Sequence, residues 1–108
     1  MKETEITIKV KLDKNNIPEE ICWSAPDGGM KNISSKAILL SFWDSKKKET
    51  LKMDLWTKEM PMDEMKSFML QTFISMKKSI SKSTGDENLV NLTDDFCVEF
   101  ERRILKKP

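Results

Sequence analysis

The side chains that most often perform catalysis or bind metal ions are sparse in this sequence. Histidine is absent, which removes the commonest general base and the commonest metal ligand. Histidine-dependent hydrolytic triads and most zinc sites are therefore excluded. The two cysteines, Cys22 and Cys97, lie far apart without the CxxC spacing of a redox or zinc pair. We expect both to be buried free thiols, because unpaired cysteine packs like a small apolar residue.

Three further types of cluster resemble chemical sites but have simpler structural explanations. The segment Asp27–Gly29 shares its glycines with phosphate-binding loops, but no Gly-x-Gly-x-x-Gly pattern follows, so it predicts a turn. The acid pairs Asp63–Glu64 and Asp94–Asp95 fall early in predicted helices, where the helix dipole favours carboxylates. Lys46–Lys48 fits the solvated tip of a hairpin. We predict no catalytic residue, no cofactor and no metal site.

The composition predicts one folded domain over residues 1–108. A chain of 108 residues, 38% apolar and 34% charged, is long enough for one hydrophobic core. Its formal charge of +1 gives no global attraction to nucleic acid or anionic lipid. The N-terminus lacks an apolar h-region, and no run of about 18 apolar residues occurs. We therefore expect no signal peptide, no membrane span and, without a disulfide framework, a cytoplasmic location.

The residue pattern in the first half of the chain predicts β-strands. Glu5–Leu12 alternates polar and apolar residues, which places Ile6, Ile8, Val10 and Leu12 on one face. A second strand covers residues 20–25 and ends at Pro26–Gly29, where adjacent glycines permit a sharp reversal.

The next segment predicts a β-hairpin formed by residues 37–44 and 49–56. Residues 51–55 alternate apolar and polar side chains, and the connection between the two runs is short and polar. Residues 37–43 alone form a nearly continuous apolar run, so a helix from Ser34 or Ser35 to Phe42 remains an alternative.

From residue 61 the apolar period changes to about 3.6, which predicts two helices over residues 61–106. Pro61 suits the first helical position, and Gly85 ends the first helix. The second helix runs from about Asn88 to Lys106 and carries basic residues near its end, at Arg102, Arg103, Lys106 and Lys107. The whole pattern predicts an α+β fold, in which a four-stranded antiparallel sheet over about residues 5–56 is followed by two helices packed on one face (ββββαα).

The first helix carries more apolar surface than a single stripe. Its apolar stripe consists of Met62, Met65, Met69, Phe73, Met76 and Ile80. Phe68, Leu70 and Ile74 lie beside that stripe, so the helix either sits deep in a core or presents a second face to another chain. A symmetric homodimer would bury the excess. We predict that Phe68 or Ile74, or the edge strand that holds Trp56, lies at its contact.

Two tryptophans complete the set of candidate partner contacts. Trp43 and Trp56 end neighbouring predicted strands, so we expect their side chains to lie close together. Such a pair is either a corner of the core or an anchor for an interface. The candidate partner-contact residues are therefore Trp43, Trp56, Phe68 and Ile74.

Several segments of the chain are similar to those of a known family. Trp23–Gly29, Leu39–Lys46 and Asp54–Lys66, followed by Gln71–Thr72 and Asp95–Cys97, resemble the gliding motility-associated protein GldC family of surface-gliding bacteria. The resemblance covers about residues 5–105. It implies a small accessory protein of gliding motility and the associated type IX secretion apparatus, without known catalytic residues.

These observations together predict a non-catalytic protein that acts through contacts with protein partners of the gliding machinery. An alternative is a holdase-like chaperone, or another soluble binding module, for secretion-bound proteins, because flexible methionines re-pack around different apolar partners. A small-molecule enzyme or carrier would instead need a concave pocket with converging polar groups.

Overall fold

The structure, a computed structural model, describes residues 1–106 and belongs to the α+β class predicted from the sequence. The chain divides into two compact units: a strand unit, Met1–Met60, and a helix unit that begins at Pro61. The strands are β1 Thr7–Leu12, β2 Pro18–Ala25, β3 Met30–Ser35, β4 Ala37–Asp44 and β5 Glu49–Trp56, and the helices are α1 Met62–Thr84 and α2 Glu87–Leu105.

The prediction of one four-stranded sheet is wrong. The strand unit contains five strands in two antiparallel sheets, β1-β2-β3 and β4-β5. The additional strand is β3, which lies between the predicted second and third strands. Its alternation is interrupted at Asn32, whose positive φ of 50° accompanies a shift in the β2–β3 register. The packing of the helices on one face of a sheet remains a prediction.

The three-stranded sheet has one apolar face, on which Ile8 and Val10 lie as the alternation predicts, whereas Ile6 precedes β1 and is exposed. Ile8 pairs with Trp23, Val10 pairs with Ile21, and Trp23 also pairs with Ile33 on β3. Ile21 is fully buried, with 0% of its surface exposed, and it forms the centre of this face. The reversal after β2 is a short 3-10 turn, Pro26–Gly28, and Gly29 follows it with a φ of 77°.

The hairpin of β4 and β5 is confirmed, and the alternative helix is wrong. The strands pair from Ala37 with Trp56 to Asp44 with Glu49 without a register shift. In the turn, Asp44 Oδ1 accepts the backbone N–H groups of Lys46 and Lys47 at 3.0 and 3.4 Å. Lys48 completes the reversal with a φ of 53°. The carboxylate of Asp44 thus satisfies turn N–H groups that have no partner in the ladder.

The helix unit is a pair of helices joined by Gly85 and Asp86. Gly85 ends α1 in the left-handed region, with a φ of 64°, and its N–H donates to the Ser81 carbonyl at 3.0 Å. Asp86 caps α2 by accepting the N–H groups of Asn88 and Leu89. Pro61 occupies the N-cap of α1, one position before the predicted one. Lys107, expected near the end of α2, lies outside the described residues.

Contact between the two helices is largely aromatic. Phe73 of α1 meets Phe96 and Phe100 of α2 edge to face, with ring centroids 5.1 and 5.2 Å apart. The Lys77 ammonium donates to Asp94 Oδ1 at 2.7 Å. This contact raises the pKa of Lys77 through the hydrogen bond and the charge of Asp94. The ring cluster and the Lys77–Asp94 ion pair therefore join the two helices.

Candidate interaction surfaces

The two-stranded sheet exposes one strongly apolar face. The register aligns three apolar pairs on that face: Ile38 with Leu55, Leu40 with Met53, and Phe42 with Leu51. We call these six residues the hairpin face. Phe42, Leu51 and Met53 are 58%, 53% and 54% exposed. Contiguous exposed apolar residues of this kind are typical of interaction sites.

Trp43 and Trp56 lie on the opposite face of the same hairpin and are 63% and 55% exposed. Trp43 pairs with Thr50, and Trp56 pairs with Ala37, so six strand positions separate the two tryptophans. That spacing is about 20 Å at about 3.3 Å per residue. The expectation that they lie close together is wrong, because antiparallel pairing carries the ends of the two strands to opposite ends of the hairpin. Each tryptophan is available for contact separately.

Helix α1 has no fully buried residue. Phe68 and Ile74 are half-buried, whereas Met62 and Met76 of the predicted stripe are exposed. The apolar surface of α1 is thus only partly covered. Whether Phe68 or Ile74 contacts a partner remains a prediction.

A groove of about 530 Å³ lies on the helix unit and was not predicted from the sequence. It is lined by Lys66, Phe96, Glu99, Phe100, Arg103 and Ile104. The phenylalanines and Ile104 form its apolar part, while Lys66, Glu99 and Arg103 supply charge. A groove of this composition suits an apolar side chain flanked by polar groups.

Glu99 is the most strongly perturbed acid of the helix unit. Its carboxylate accepts hydrogen bonds from Arg102 and Arg103, at 2.6 to 2.8 Å. These guanidinium groups lower the pKa of Glu99 from the ordinary 4.5 to about 2. Glu99 is consequently ionised at neutral pH, with its charge fixed at the rim of the groove by the two guanidinium groups.

In the strand unit, the Asp13 carboxylate joins the β1–β2 turn to the segment after β5. It forms an ion pair with Lys58 and accepts the backbone N–H groups of Asn15 and Ile17 at 2.7 and 3.0 Å. The hydrogen bond from Lys58, followed by that from Ile17, lowers the pKa of Asp13. The role of this cluster is to hold two loops together, and sequence patterns gave no signal for it.

Thr57, directly before Lys58, is 5% exposed. Its backbone N–H donates to the Lys36 carbonyl at 2.8 Å, which ties the end of β5 to the residue between β3 and β4. The Thr57 hydroxyl has no hydrogen-bond partner within residues 1–106. Burial of a hydroxyl without a hydrogen-bond partner lowers the stability of the folded state. The Thr57 hydroxyl therefore destabilises the strand unit.

Side chains that could bind a metal ion or act as nucleophiles are otherwise sparse on the described surface. No cluster of three or more Cys, Asp or Glu side chains within residues 1–106 is arranged to hold a metal ion. Cys97 is buried, as predicted, but Cys22 is only half-buried, and both are free thiols. Neither α1 nor the described part of α2 has an apolar stretch that could span a membrane.

Comparison with protein families provides the identification. The family model described as gliding motility-associated protein GldC-like matches residues 18–106. The chain belongs to the GldC-like family. No curated protein and no solved structure gives a significant match.

The segments that resemble GldC occupy distinct structural positions. Trp23–Gly29 covers the end of β2 and its turn, and Leu39–Lys46 covers most of β4 and the start of the hairpin turn. Asp54–Lys66 contains the buried Thr57, the ion-paired Lys58 and the first turn of α1. Much of this GldC-like signature therefore stabilises turns and strand ends. Phe42, Trp43 and Trp56 are exceptions, because they are signature residues with exposed aromatic side chains.

Proposed function

We propose that this GldC-like chain is a non-catalytic accessory protein of gliding motility and the associated type IX secretion apparatus. Its action is to contact protein partners on the cytoplasmic side. Membership of the GldC-like family carries the link to gliding. The absence of histidine and of a nucleophile–base set in the sequence supports a role without catalysis.

The hairpin supports the proposal that the protein acts by binding. Trp43 and Trp56 are exposed on one of its faces, and Phe42 and Met53 are exposed on the other. Tryptophan and phenylalanine contribute strongly at protein interfaces because they bury large rigid surfaces at low entropic cost. A two-stranded ribbon exposes both faces to partners.

Site-specific crosslinking in a gliding bacterium that expresses this chain tests the proposal. A photoreactive phenylalanine derivative at position 43 should capture a component of the gliding or secretion apparatus. The same derivative at Lys9, on the charged face of β1, is the control and should not capture that component. Recovery of the same abundant bystanders from both positions would contradict the proposal.

The exposed apolar residues also favour a second candidate, a holdase-like chaperone for secretion-bound proteins. The hairpin face and the apolar part of the helix groove could each hold an extended apolar segment. The protein at stoichiometric ratio should then delay aggregation of a chemically unfolded client. A Phe42→Ser variant should delay it less, and no delay by the unaltered protein would remove this candidate.

A further inference from the structure

Strand β5 has a free edge on the two-stranded sheet. It pairs with β4 on one side, and no other described strand pairs with it on the other. Seven of its eight residues are exposed. Alternate N–H and C=O groups of such a strand point away from its partner and can pair with another strand.

The sequence of β5, Glu49–Trp56, has approximate two-fold chemical symmetry about Met53. Leu51 and Leu55 lie two positions from Met53, and Lys52 and Asp54 lie one position from it. In an antiparallel pair of two copies centred on Met53, Leu51 therefore faces Leu55 of the second copy. Lys52 faces Asp54 of the second copy, and the reverse pair repeats the contact.

From this self-complementarity we propose that the chain forms a homodimer by antiparallel pairing of β5 with β5 of a second copy, centred on Met53. The result is a continuous four-stranded sheet in the order β4-β5-β5-β4. A two-stranded sheet is marginally stable by itself, and added strands stabilise it. The proposal concerns the chain alone and does not depend on a role in gliding.

The charges and faces of β5 select this register over its neighbours. Side chains alternate along a strand, so a shift of the pairing by one residue would exchange the two faces of one copy. The hairpin face of that copy would then lie on the same side of the sheet as Lys52 and Asp54 of the other copy. A shift that keeps the faces aligned centres the pair on Lys52 or on Asp54. Either shift sets like charges directly opposite each other, which is destabilising. Of these registers, the one centred on Met53 aligns the apolar faces and pairs opposite charges.

The pairing also joins the two hairpin faces. An antiparallel pair within one sheet has its two-fold axis perpendicular to the sheet, so the apolar faces of both copies lie on the same side. Leu51 and Met53, each more than half exposed in the single chain, become central residues of this joined face. Lys52 and Asp54, which form an ion pair within one copy, gain partners of opposite charge in the other.

Charge exchange tests the pairing directly. Lys52→Asp and Asp54→Lys each set two like-charge pairs across the interface, so each variant alone should dimerise about tenfold or more weakly than the unaltered chain. An equimolar mixture should recover the dimer, because each remaining pair then joins opposite charges. Lys9→Asp makes the same charge change on β1 and should leave dimerisation unaltered. Sedimentation velocity measures association, and fluorescence of Trp43 and Trp56, which lie on the same hairpin, confirms that the hairpin of each variant is folded.

Disulfide crosslinking tests the register. In the pairing, position 53 faces itself at a Cα separation of about 4.5–5.5 Å, within the range that a disulfide spans. Position 51 lies four residues from its equivalent, about 13 Å away, which a disulfide cannot bridge. Met53→Cys should therefore form a crosslinked dimer under oxidising conditions, while Leu51→Cys, and the unaltered chain with Cys22 and Cys97, should not.

Several results would overturn the proposal. A monomer at high micromolar concentration excludes the pairing, as does a mixture of charge variants that stays monomeric although both are folded. Equal crosslinking from positions 51 and 53 excludes the register. A dimer that survives both charge changes but dissociates on Phe68→Glu would place the contact on α1 instead.

Discussion

Replacement of Ile21 by alanine should destabilise the strand unit more than any comparable change on its surface. Ile21 is fully buried between Val10 on β1 and Ser35 on β3. Ile21→Ala removes three carbon atoms from this position. Ile33→Ala removes the same atoms from the same sheet face, but Ile33 is 38% exposed, which makes it the matched control.

The expected loss follows from burial. At about 0.8 kcal/mol for each buried methylene-sized group, three groups contribute about 2.4 kcal/mol. The cavity left in a packed site raises the total to about 3–4 kcal/mol. Ile33→Ala should lower the free energy of unfolding by about 1.5 kcal/mol or less, since part of its side chain already contacts water. A unit of this size has only about 3–9 kcal/mol of stability, so Ile21→Ala should leave little of it.

The positions of the aromatic residues allow the measurement to be made on one unit. All three tryptophans, Trp23, Trp43 and Trp56, lie in the strand unit, whereas both helices lie in the helix unit. Urea unfolding followed by tryptophan fluorescence therefore reports the strand unit, and far-ultraviolet circular dichroism is dominated by the helices. With an m-value of about 1.5 kcal/mol/M, the fluorescence midpoint of Ile21→Ala should fall by about 2 M. A loss no greater than that of Ile33→Ala would refute the assignment of Ile21 as the centre of the core.

Three further changes test individual features of the two units. Lys48→Gly should raise the free energy of unfolding by about 0.5–1 kcal/mol, because glycine adopts the positive φ of position 48 without strain. Lys47→Gly makes the same charge change in the same turn and should not raise the free energy of unfolding. Thermal denaturation compares the two variants. Thr57→Val should stabilise the strand unit by about 1 kcal/mol, since it removes a buried hydroxyl without a partner, and a urea midpoint below that of the unaltered chain would contradict this. The pKa of Glu99 is lowered to about 2, so the stabilising effect of its carboxylate is present above pH 4.5 and is lost as the pH falls toward 2. Glu99→Gln should therefore reduce the dependence of helix melting on pH in that window. A pH profile unchanged by the substitution, measured by circular dichroism, would argue against the Arg102 and Arg103 contacts.

Local periodicity was sufficient to predict the elements whose apolar residues repeat without interruption. β5 alternates apolar and polar residues, a short polar turn joins it to the nearly continuous apolar run of β4, and both helices carry long 3.6-period stripes with Gly85 between them. β3 lacks such a signal, because Ile33 and Met30 are its only large apolar residues and Asn32 breaks the alternation. Alternation with period two also shows which side chains share one face of a strand, but it does not show which other strand pairs with it. The division into two sheets was therefore not predictable.

The surfaces were harder to predict than the elements. Trp43 and Trp56 were correctly identified as residues near strand ends, but only the register shows that they lie at opposite ends of the hairpin. The groove beside Phe96 depends on how two helices pack, which a stripe along one helix does not determine. The contact between Asp13 and Lys58 joins loops far apart in sequence, and no local pattern around either residue indicates that the two side chains meet. The symmetry of β5 is visible in the sequence, but it indicates self-pairing only when the structure shows that one edge of β5 is free.

Each strand within residues 1–106 pairs only with a strand next to it in sequence, and the two helices are also consecutive. Contacts between sequence neighbours need little loop closure, and proteins that are rich in them fold rapidly. During synthesis the three-stranded sheet has all its strands once residue 35 has left the ribosome, the hairpin is complete by residue 56, and the helices follow. The order of translation thus matches the order in which partners become available, so the nascent chain need not wait for a distant segment before it pairs its strands.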